Sequence, residues 1–172
     1  NFKGCKIHPG LLNIDINVNF LIDIAKFLAE KNLYLMLCTY LDERNLDLKK
    51  LHNLKSFIES IIEKDIKINL ILAHGGGKYF SNFQNYTFHR KNILLDLSFT
   101  YMRYLDTEIE ELILNDIAKN NRYISFGTDW PDYSFKESID TLNKHNYLVK
   151  NDDFFQNFLY NNAYEFLNIC AK

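Results

Sequence analysis

Five places in this sequence carry groups able to bind a metal, move a proton or hold a substrate, and each closes a short apolar run. His8 follows CKI, Cys38 with Thr39 follows LYLML, His74 follows INLILA, Ser98 follows ILLDL and Asp129 follows YISFGT. Imidazole, thiolate and carboxylate are the side chains that ligate divalent metals or shuttle protons near neutral pH. Runs nearly continuous in Leu, Ile, Phe and Tyr are what strands buried on both faces look like. Parallel α/β folds bind their ligands at the carboxyl ends of such strands. Any one tip alone has an ordinary explanation, a hydrogen-bonded structural His or a helix-capping Asp. Repetition at equivalent positions points instead to one shared site.

The sharpest tip is His74-Gly75-Gly76-Gly77, where glycines let backbone pass close to whatever the imidazole touches. Lys6 and His8, two apart, face the same side of a strand, and Pro9 ends its ladder. Lys6 is either exposed at the chain edge or turned inward, where it needs a carboxylate partner or a chemical modification. Asp96 and Ser98 also share a face. Asp96 inside a strand calls for a cation, Lys6 or Arg103, and Ser98 can hydrogen-bond a substrate. No base is marked that would make Ser98 a nucleophile. Trp130, with Tyr101 and Phe80, suggests an apolar or aromatic lining. His52, His89 and His145 read as solvated, and Cys5 and Cys170 as small core residues.

These tips need a scaffold. The predicted strands are Cys5–His8, Leu33–Thr39, Ile66–His74, Ile93–Phe99 and Tyr123–Gly127. Between them, Val18, Leu21, Ile22, Ala25 and Leu28 recur at helical spacing. So do Leu51, Leu54, Phe57, Ile58, Ile61 and Ile62, and Ile109, Leu112, Ile113 and Ile117. Thr107-x-x-Glu110 and Ser134-x-x-Glu137 form capping boxes that place two helix starts. Residues 152–169 read as two short helices joined near Asn161-Asn162, and residues 83–90 as loop. Strands about 30 residues apart and alternating with helices are βαβ units. They build an open doubly wound sheet or part of a (β/α) barrel, in a single domain spanning residues 1–172.

Composition narrows the partners. A chain of 172 residues with 47% hydrophobic and 24% charged residues folds into a sizeable core. Its formal charge of −2 supplies no basic field for a nucleic acid. No stretch approaches the about 18 apolar residues of a membrane span, and NFKGCKIHPG is not a signal peptide. Three cysteines in no pairing pattern suggest free thiols in a reducing compartment, so a cytoplasmic location is expected. Phosphate binding is disfavoured, because Gly77-Lys78 is followed by Tyr79 rather than Ser or Thr.

Assembled in order, the tips resemble the amidohydrolase-related metal-dependent hydrolases, a branch that also includes nonoxidative decarboxylases. The resemblance is carried by Gly4-Cys5-Lys6-Ile7-His8-Pro9, Leu72-Ala73-His74-Gly75-Gly76, Ile93 to Ser98, Phe126-Gly127-Thr128-Asp129-Trp130-Pro131, and Asn162-Ala163 with Phe166-Leu167. It implies the C-terminal portion, about five βα units, of a distorted (β/α)8 TIM barrel. It also implies a divalent metal, zinc in many members, that lowers the pKa of bound water toward about 7. Asp129 would be a metal ligand and the general base, His74 a ligand or acid/base residue, and Lys6 the fourth-strand lysine. The implied reaction is hydrolysis of a small-molecule ester, lactone or amide, with nonoxidative decarboxylation or a non-catalytic barrel remnant as alternatives.

Two departures from that pattern matter. The H-x-H that supplies two metal ligands on the first strand in most members is absent from this chain. With Lys6 on the fourth strand, the chain holds five of the eight strands, and a whole barrel takes about 250 residues. The expected partner besides a small-molecule substrate is therefore a further N-terminal segment or a second copy. The other departure is Cys38, which stands where many relatives place a ligand histidine: either a thiolate replaces it at zinc, or the thiol is inert and the site is degenerate or holds a single metal differently.

Overall fold

The computed structural model describes residues 2–9, 17–41, 48–87, 90–119, 123–144 and 152–169. Five parallel strands form one sheet: β1 (Gly4–Ile7), β2 (Tyr34–Cys38), β3 (Asn69–Ala73), β4 (Ile93–Asp96) and β5 (Ile124–Ser125). They lie in the order β1-β2-β3-β4-β5. A doubly wound sheet reverses its strand order partway. This one never does, so right-handed crossovers place the helices on one face and leave the other as an interior. Of the two architectures compatible with the sequence, the structure is the barrel-type winding.

The covered face is built by the stripes that the sequence periodicity marks. Helix α1 (Val18–Glu30) starts at Asn17, whose Oδ1 accepts from the amides of Asn19 and Phe20 at 3.0 and 3.3 Å. It buries Leu21, Ile22, Ala25 and Leu28, and α2 (Leu48–Glu63) buries Leu54, Phe57, Ile58 and Ile61. Both pack with Leu35, Leu37, Leu70, Leu72, Ile93, Leu95 and Ile124 of the strands in one core. The solvated reading of His52 holds, since it is exposed on α2.

Side chains alternate across a sheet, so the register defines the opposite face. Lys6, Met36, Ile71 and Leu94 lie side by side, and nearer the tips come Cys38, Ala73, Asp96 and Ser125. This face is covered differently: Phe166, from the last helix, packs on Ile71 and Leu94.

After β3 the chain makes a tight 3-10 segment, His74–Tyr79, then α3 (Phe80–Gln84), which replaces the first part of the expected 83–90 loop. Helices α4 (Thr100–Arg103), α5 (Glu108–Lys119) and α6 (Phe135–Leu142) follow. Ser134 caps α6 by accepting from the Glu137 amide at 3.1 Å. At α5 the box is shifted: the Glu110 amide reaches Thr107 Oγ1 at 3.4 Å, while the Glu110 carboxylate accepts from the Asp106 amide at 2.6 Å.

The chain closes with α7 (Asp152–Gln156), a π-helical turn (Asn157–Asn161) and α8 (Asn162–Ile169). In that wide turn the Asn162 amide bonds Asn157 O rather than Phe158 O. The freed Phe158 carbonyl accepts from the Phe126 amide at 2.9 Å, and Asn162 Nδ2 donates to Ile124 O at 2.8 Å. The π turn thereby fastens the last helices to β5.

Some expectations change. Cys5 is exposed rather than a core residue, because β1 is the outer strand of the sheet. Phe80 and Tyr101 are packed into the core at 2% exposure. His89, His145 and Cys170 lie outside the described residues. Among the described residues no helix is long and apolar enough to cross a membrane.

Candidate active site

The sheet delivers its polar tips to one end. His74 follows β3, Ser98 lies two residues past β4 and Asp129 four past β5. His74 Nδ1 and Asp129 Oδ2 are 3.9 Å apart, the imidazole buried and the carboxylate partly open. Both residues, with Phe99, adopt left-handed backbone, at φ values of 66°, 59° and 64°. For residues other than glycine such conformations cost about 1–3 kcal/mol and persist where surrounding structure over-determines them. Here the structure supplies the restraint: Thr100 Oγ1 donates to His74 O at 2.5 Å, and Thr39 Oγ1 donates to Ala73 O while accepting from the Gly76 amide, both at 2.7 Å. Gly76, at φ 81°, could carry no side chain, since a Cβ there would sit 2.2 Å from Phe83.

The imidazole has defined partners. Its Nδ1 lies 3.0 Å from Ser98 O and 3.3 Å from Ser98 Oγ. Ser98 Oγ donates to Asp96 Oδ2 at 2.6 Å, and the Ser98 amide donates to Asp96 Oδ1 at 3.1 Å. Asp96 is thus held by Ser98, and among the described residues no ion pair joins it to Lys6 or Arg103. Burial pushes the Asp96 carboxyl above its ordinary value, opposed by the two Ser98 hydrogen bonds. Gly127 makes room for this pair: a Cβ there would approach Ser98 Cβ to 2.7 Å and Asp96 Oδ1 to 2.8 Å.

The other expected residues take up varied places. His8 is half-buried and within electrostatic reach of His74, Lys6 and Asp129; burial is the main cause of its lowered pKa. Lys6 is exposed yet acts on both His8 and Cys38. Trp130 is 75% exposed, and its amide bonds Thr128 Oγ1. Cys38 is buried, and desolvation raises its thiol to about 11.

Sequence reasoning missed three rings here, two against the imidazole and one behind them. Tyr40 and Phe99 meet it edge-on at centroid distances of 6.4 and 6.1 Å, Tyr40 and Phe99 pack at 4.9 Å, and Tyr133 adds to Phe99 at 5.8 Å. Each sits within four residues after a tip group, and that adjacency is the one signal that could have marked them.

The implied metal can be tested against this donor set. Catalytic zinc commonly takes three protein ligands. Among the described residues no group of three or more His, Cys, Asp and Glu side chains is placed to hold a metal ion. Cys38 is buried and does not join His74 and Asp129 in such a group. The described residues therefore offer a pair of donors and do not fit a metal by themselves.

No protein-family model and no curated protein matches the chain. Among solved structures it is similar to an uncharacterized TIM-barrel protein from Bordetella bronchiseptica, at 15% identity and a TM-score of 0.72. The similarity covers 92% of this chain and 54% of that one, so the chain spans about half of its neighbour's length. The fold is part of a TIM barrel.

Proposed function

We propose that this chain carries the proton-handling part of a TIM-barrel hydrolase acting on a small-molecule ester, lactone or amide, as its resemblance to the amidohydrolase-related hydrolases implies. The supporting observation is the 3.9 Å approach of His74 Nδ1 to Asp129 Oδ2, on two strand tips held in left-handed backbone. Asp129, the more accessible of the two, takes a proton from the attacking water. His74, starting as the imidazolium and donating through Nδ1 to Ser98, gives its Nε2 proton to the departing oxygen or nitrogen and is left neutral. The proton on Asp129 then returns through solvent to His74, and the pair is reset. A metal would need at least one ligand beyond these two, from outside the described residues.

A second reading, a binding module without chemistry, is favoured by that two-donor set. One experiment separates them. Asp129→Asn and His74→Asn both keep a residue tolerant of left-handed backbone, so circular dichroism should show native fold. Turnover of an ester, lactone and amide panel by metal-replete protein should fall at least about 100-fold in each, the scale of general acid–base catalysis. Wild-type rates in both variants, or no turnover by the wild type, would remove the hydrolase reading.

A further inference from the structure

We infer that Asp96 is a positioning residue that acts through Ser98 to fix which nitrogen of His74 carries its proton. This deepens, and rests on, the reading of His74 as a proton carrier.

A carbonyl oxygen only accepts, so Ser98 O at 3.0 Å requires a proton on His74 Nδ1. The Ser98 hydroxyl, 3.3 Å from the same nitrogen, has one proton and could oppose that arrangement by donating to Nδ1. Asp96 prevents it. Its Oδ2 takes the hydroxyl proton at 2.6 Å, within the range of a charge-assisted O–H···O⁻ bond, and its Oδ1 holds the Ser98 amide at 3.1 Å. Ser98 therefore presents only acceptors to the imidazole, and neutral His74 is left with its lone pair on Nε2. A carboxylate or carbonyl behind a histidine sets the working nitrogen of many sites in this way. Here a serine is interposed, and Gly127 leaves the space for it.

The same geometry reassigns Ser98. Its hydroxyl proton is committed to Asp96, so it neither donates to a substrate nor serves as a nucleophile with His74 as base.

Nitrogen-15 correlation spectra of the intact chain read the tautomer without any substrate. The chain has five histidines, and the His74 signals are those missing from His74→Asn. Wild-type His74, where neutral, should be protonated at Nδ1. In Asp96→Asn an amide N–H₂ must face Ser98, either turning the hydroxyl proton toward Nδ1 or repelling the Ser98 amide. The Nε2-protonated tautomer should then become populated, and kcat should fall about 10–100-fold with KM little changed, as for loss of an outer-shell partner. In Ser98→Ala the carbonyl remains and the relay is gone, so adding Asp96→Asn should change the His74 signals no further. A wild-type His74 protonated at Nε2 overturns the inference even if no variant folds. So does an Asp96→Asn spectrum identical to the wild type, or an equal response to Asp96→Asn with and without the Ser98 hydroxyl. Wild-type turnover in both Asp129→Asn and His74→Asn would strike the hydrolase reading instead and leave these spectra to decide the tautomer.

Discussion

Cys38 and Cys5 show how environment, not residue type, sets reactivity. Burial holds the Cys38 thiol near a pKa of about 11, whereas Cys5 is exposed on the outer strand. Thiolate is the form that alkylates, so iodoacetamide at pH 8 should modify Cys5 in native protein and leave Cys38 intact until urea is added, as peptide mapping by mass spectrometry would register. Equal labelling of both would contradict the burial of β2. The raised thiol pKa also has a sign for stability. Its contribution is whole below the ordinary thiol value near 9 and is lost as pH rises from there through about 11. At this scale the placing of His74, Ser98 and Asp129 near strand tips was legible in the sequence, because each follows an apolar run of the kind buried strands show. Tyr40, Phe99 and Tyr133 were not, because aromatics make up 15% of the chain and most of them serve the core. Asp96 was misread for a related reason. Charge pairing is what a sequence suggests for a carboxylate in a strand, while its actual partners, an amide and a hydroxyl two residues on, carry no charge.

Helices α1 and α2 stand where their apolar periods place them, since a stripe of Leu and Ile has one way to meet a sheet, whereas on α5 Ile113 is buried and Leu112 exposed. The π turn is the opposite case. A sequence pattern registers only a break near Asn161-Asn162, whereas the structure runs without interruption from Asp152 to Ile169 through a widened turn. What the break accomplishes is visible only in three dimensions, where Phe158 O and Asn162 Nδ2 reach β5. Asn162→Ala should lower stability by about 1–3 kcal/mol, the cost of leaving the buried Ile124 carbonyl without its donor. Urea denaturation would measure it, and an unchanged midpoint would mean that the Phe126–Phe158 bond alone secures the strand.

As a whole the molecule is a five-stranded parallel sheet with α1 and α2 on one face and Phe166 of the last helix on the other, and its strand tips hold the candidate chemistry. Strand order could not be read from the sequence, because βαβ spacing is the same in barrels and in doubly wound sheets. Among the described residues nothing pairs with the outer side of β1, and an unpaired edge is a template for association. Exposed Lys6 sits in that strand, where a charge discourages such pairing. Lys6→Val should therefore raise the apparent mass of the 172-residue chain at high concentration, read by light scattering; an unchanged mass would show that the edge is protected by other means. The hydrogen bond from Ser98 to Asp96 has one more consequence, a practical one. Fluorophosphonate reagents find hydrolases by capturing a serine that an imidazole has activated, and here the Ser98 hydroxyl donates to Asp96 and not to His74. A survey with such tags is therefore expected to miss this chain, and a test of the proposed hydrolysis has to watch products form.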